Sequence, residues 1–142
     1  METTARSTNK DRIKLPFQFD VKKMQAEIKT FSDSRFIYYK VLPIRSPAHL
    51  VDTSLPFPPP ADDYADGSWC DWLDTPILKN MPYISEVVDT FKAHTQVTLV
   101  RLLFLEAGAV VKEHTDPTLG LHIEKSVIRL TIPIFRSNQV QF

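Results

Sequence analysis

His114-Thr115-Asp116, at the end of an apolar run and directly before Pro117, holds the residue types best suited to chemistry in this chain. On an extended backbone, residues two apart point to the same side. An imidazole and a carboxylate placed so can close on one metal ion. They make two-thirds of the two-His-one-carboxylate face that holds non-haem Fe(II) and leaves positions open for a co-substrate and O₂. The other histidines are His49, His94 and His122. None follows His122 in the sequence, and the remaining candidates for the second imidazole are His49, His94 and His122.

Spacing alone is weak support. With 4 histidines and 17 acidic residues in 142 positions, a His-x-acid pair is expected about half a time by chance. The chain has two, His114/Asp116 and His122/Glu124. Context separates them. The first closes a strand-like run, Val110 to Asp116, whereas the second falls in a loop, Pro117 to Lys125. A turn in which Asp116 bonds the local backbone before Pro117 is the plainer alternative. In the run Ser126 to Ile134, Arg129 and Thr131 share the less apolar face, where a guanidinium can fork onto a carboxylate. A solvated outer face is the plainer alternative there too.

The elements that would position these groups follow from periodicity. Leu15, Phe17 and Phe19 alternate with Pro16 and Gln18, as in a short edge strand. Asp20 is a good N-cap, and Val21, Met24, Ile28 and Phe31 fall on one helical face, predicting a helix over 21–31. Phe36 to Val41 is β-branched and aromatic and reads as a strand ended by Pro43. Pro56, Pro58, Pro59 and Pro60 mark a long surface loop. Pro82 can open a helix, and Ile84, Val87, Val88 and Phe91 give it an apolar stripe, predicting 82–93. Val97 to Leu105 reads as a buried strand, Glu106 to Ala109 as a turn built on Gly108. Helices followed by strands in succession indicate a helix-flanked antiparallel sheet or barrel.

Composition narrows the function classes. Seventeen basic residues balance 17 acidic ones, so nothing points to nucleic acid or an anionic membrane. No apolar run reaches the roughly 20 residues that cross a bilayer, and residues 1–12 lack the apolar stretch of a signal peptide. A disordered tail over 1–12 and one domain over 13–142 are expected. Cys70 is the only cysteine; with Trp69, Asp71 and Trp72 around it, it is a poor nucleophile. A reducing, cytoplasmic setting fits.

From about Trp69 to Ile134 the chain resembles the aspartyl/asparaginyl/proline hydroxylase family. The matching pieces are Gly67-Ser68-Trp69, Met81-Pro82-Tyr83, Val100-Arg101-Leu102-Leu103 and Glu106-Ala107-Gly108-Ala109. His114-Thr115-Asp116-Pro117-Thr118 and Ile128-Arg129-Leu130-Thr131-Ile132-Pro133 follow in the same order. The resemblance implies a mainly β fold with flanking helices: a double-stranded β-helix, a cupin-like jelly roll, here short of its C-terminal strands. It implies an Fe(II)- and 2-oxoglutarate-dependent dioxygenase that uses O₂, with ascorbate as a possible reductant, to hydroxylate an amino acid, free or in a polypeptide. His114 and Asp116 would be iron ligands. Arg129 would hold an anionic group, and Thr131 stands where the family has a histidine near 2-oxoglutarate. The alternative is a non-catalytic cupin-like binding or regulatory module lacking the third metal ligand. A β-helix missing strands also leaves open edges, from which self-association is expected.

Overall fold

The structure, a computed structural model, describes residues 13–35, 41–52, 54, 71–110 and 128–136, with side chains of the first helix described through residue 30. The expected tail, the proline loop and the loop from Pro117 to Lys125 lie outside these residues. So do Phe36 to Lys40 and nearly all of the run from Val110 to Asp116.

Helix α1 is Val21–Arg35. The Asp20 carboxylate accepts the Lys23 backbone N–H at 3.2 Å, the N-cap geometry expected from the sequence. No glycine or proline interrupts the chain after residue 31, and the helix runs four residues past its predicted end. Met24 and Ile28 are buried, whereas Val21 stays 37% exposed, so the packed stripe is narrower than the pattern implied.

Helix α2, Pro82–Lys92, starts at the proline as predicted. Met81 supplies no side-chain cap. Instead the Glu27 carboxylate of α1 accepts the N–H groups of Tyr83 at 2.6 Å and Ile84 at 2.9 Å. Those are donors of the first turn, left without intrahelical partners. The Tyr83 hydroxyl in turn accepts the Asp20 N–H at 2.7 Å, and Lys23 lies 5.2 Å from the centre of its ring. The two helices are therefore joined at their N-terminal ends by polar contacts. Deeper in, Met24, Ile28, Ile84, Val87 and Val88 pack with Ile77, Leu78 and Met81 against the sheet residues Leu42 and Ile44.

The sheet has three antiparallel strands in the order β2-β1-β3: β1 is Val41–Pro47, β2 Trp72–Asp74 and β3 Val100–Leu103. Pro43 was expected to end a strand and instead lies inside β1. The register explains why. Pro43 faces Arg101 and Arg45 faces Val100, so Ile44 is an extra residue at a bulge, one of the few sheet positions that tolerate a missing N–H. Sequence patterning missed β2, which is only three residues long. Thr75 extends its pairing: its N–H donates to the Ile44 carbonyl at 2.9 Å and its buried hydroxyl to the Pro43 carbonyl at 3.1 Å.

Three further expectations change. The run from Val97 to Leu105 is not a buried strand. Val97, Val100 and Leu102 pack on the core, but Leu103, Phe104 and Leu105 are 61%, 45% and 62% exposed because β3 is an edge of the described sheet. Leu15, Phe17 and Phe19 form no strand. Their rings find the end of α2: Phe17 and Phe19 lie 5.1 and 5.7 Å from Phe91. Residues 128–136 likewise lie outside the described sheet. There Ile132 and Ile134 pack on the core, and Gln25 Nε2 donates to the Ile134 carbonyl at 2.7 Å. The Gly108 turn does form, with the Ala109 N–H on the Glu106 carbonyl at 3.0 Å and Gly108 at φ +78°.

The described architecture is thus mixed, an antiparallel sheet with two helices, rather than mainly β. Its three strands do not close on themselves. No helix among the described residues is long and apolar enough to cross a membrane.

Candidate functional site

His114 and Asp116, the candidate metal ligands, lie outside the described residues, as do His122 and Glu124. The chain before them is described as far as Val110. β3 runs into the turn from Glu106 to Ala109, and Val110 leaves that turn 87% exposed. Arg129 and Thr131 are both exposed, on an irregular stretch that Ile132 and Ile134 anchor to the core. Arg129 is engaged with a neighbouring group. The exposed Thr131 hydroxyl can donate a hydrogen bond but carries no charge.

The remaining histidines were considered as substitute ligands. His49 is exposed in the short 3₁₀ turn Ala48–Leu50 that follows β1. His94 is exposed in the turn after α2, where its backbone N–H donates to the Phe91 carbonyl at 2.9 Å and its ring lies 5.8 Å from Phe17. Among the described residues no three His, Cys, Asp or Glu side chains gather as a metal-binding group.

One polar constellation went unseen in the sequence. Arg45 on β1, Asp74 on β2 and Lys92 on α2 meet at the end of the sheet: Arg45 NH1 lies 2.7 Å from Asp74 Oδ1, and Lys92 Nζ 2.7 Å from Asp74 Oδ2. Arg45 Nε also donates to the Val97 carbonyl at 3.0 Å. Lys92 reaches Asp89 at 3.4 Å. Partial burial, the largest single influence, raises the Asp74 carboxyl, but hydrogen bonds from Lys92 and Arg45 together with their charges outweigh it and hold the group below its ordinary value. Arg45 and Lys92 border an open groove of about 680 Å³ that also includes Trp72, Thr95 and Gln96.

A carboxylate kept ionised by two cations is a poor proton acceptor at neutral pH, and both cations are spent on it. The cluster therefore ties α2 to the two strands rather than performing acid–base chemistry. Its members lie 29 and 18 positions apart, and only the Arg45–Asp74 register brings them together. No local spacing signal could have marked them.

No family model, curated protein or solved structure matches this chain.

Proposed function

We propose that the protein is an Fe(II)- and 2-oxoglutarate-dependent dioxygenase that hydroxylates an amino acid, free or within a polypeptide. The described sheet and its two helices would be one layer of a double-stranded β-helix. The observation carrying this reading is the β3–Gly108 unit. A strand and then a tight turn with its glycine at positive φ precede His114-Thr115-Asp116 in the sequence, which matches the motif order of the hydroxylase family.

The donor set suits the metal. A neutral imidazole and a carboxylate are ligands that Fe(II) accepts, with positions left over for a co-substrate and O₂. With 2-oxoglutarate and O₂ such a centre supplies C–H hydroxylation coupled to oxidative decarboxylation, giving succinate and CO₂. The tasks left to the chain are to hold the metal through His114 and Asp116, to orient an anionic group through Arg129, and to donate from the Thr131 hydroxyl. A cytoplasmic setting accords with the single cysteine.

A second reading, a cupin-like binding or regulatory module without catalysis, draws on Thr131. It stands where the resemblance calls for a histidine, and its exposed hydroxyl is a weaker handle on a carboxylate.

The test is anaerobic addition of Fe(II), ascorbate and 2-oxoglutarate, followed by oxygen. A metal-to-ligand charge-transfer band and then succinate are expected. If wild type gives neither, just like His114→Ala, the binding-module reading replaces the enzyme.

A further inference from the structure

We draw no further inference here: the strongest candidate, the open groove between Trp72 and the turn after α2, is bordered by the two cations that Asp74 already holds, and nothing in the structure shows what covers it.

Discussion

Replacing Glu27 with alanine should unseat α2 from α1 without touching the hydrophobic core. The Glu27 carboxylate accepts two first-turn N–H groups, from Tyr83 at 2.6 Å and Ile84 at 2.9 Å, and Met81 offers no side chain in its place. Loss of a helix N-cap costs about 0.5–2 kcal/mol, and hydrogen bonds to a charged acceptor contribute about 1.5–3 kcal/mol. Glu27 is half-buried, so water replaces only part of what is lost. A destabilisation of about 2 kcal/mol is expected, or roughly 6 °C in Tm for a chain of this length. Glu27→Gln keeps one acceptor oxygen but turns an amide N–H toward the second donor, and should lose about half as much as the alanine variant. Urea titration followed by far-UV circular dichroism measures both. If Glu27→Ala stays within about 0.5 kcal/mol of wild type at unchanged m-value, the carboxylate is not what holds the start of α2.

Four other outcomes are expected. Because the Asp74 carboxyl is held below its ordinary 3.8, its contribution is present at neutral pH and disappears as pH falls through the folded-state value. Asp74→Asn should flatten that acid limb, and its cost at pH 7 should be no more than about 1 kcal/mol since the Asp74 side chain is a third exposed; an unchanged acid limb would contradict the assignment. His114→Ala should abolish the charge-transfer band and succinate formation while leaving the melting temperature within a few degrees, as read by spectrophotometry and calorimetry. Gly108→Ala should cost about 1 kcal/mol from backbone strain at φ +78° alone, because an added Cβ meets nothing within 4 Å; thermal denaturation reads it. With Leu103 at the end of β3 and Phe104 and Leu105 just beyond it exposed, the protein should self-associate in sedimentation velocity, and Leu103→Lys should shift it toward monomer.

Both helices were legible from one dimension because their signals are local. Asp20 and Pro82 mark helix starts within a turn of the residues they serve, and an apolar stripe repeats every 3.6 residues whatever it packs against. The Gly108 turn was legible for the same reason: it needs one residue able to adopt positive φ. The strands were harder. Pro43 reads as a strand terminator because the pattern carries no record of a bulge, and the run from Val97 to Leu105 reads as buried because hydrophobicity does not say which strand becomes an edge. Trp72 to Asp74 is too short to show a period at all.

Sequence alone determined the residue types that can do chemistry here: an imidazole and a carboxylate two apart, a later arginine and threonine, and a single cysteine. Tertiary structure alone decided which polar groups share a neighbourhood, because that depends on strand register and on one extra residue in β1. Register put Asp74 between Arg45 and Lys92. The bulge sent Ser46 and Arg101 to the same side of the sheet. In a strand, a one-residue shift carries every following side chain to the opposite face, and nothing in the order of the residues announces where that shift occurs.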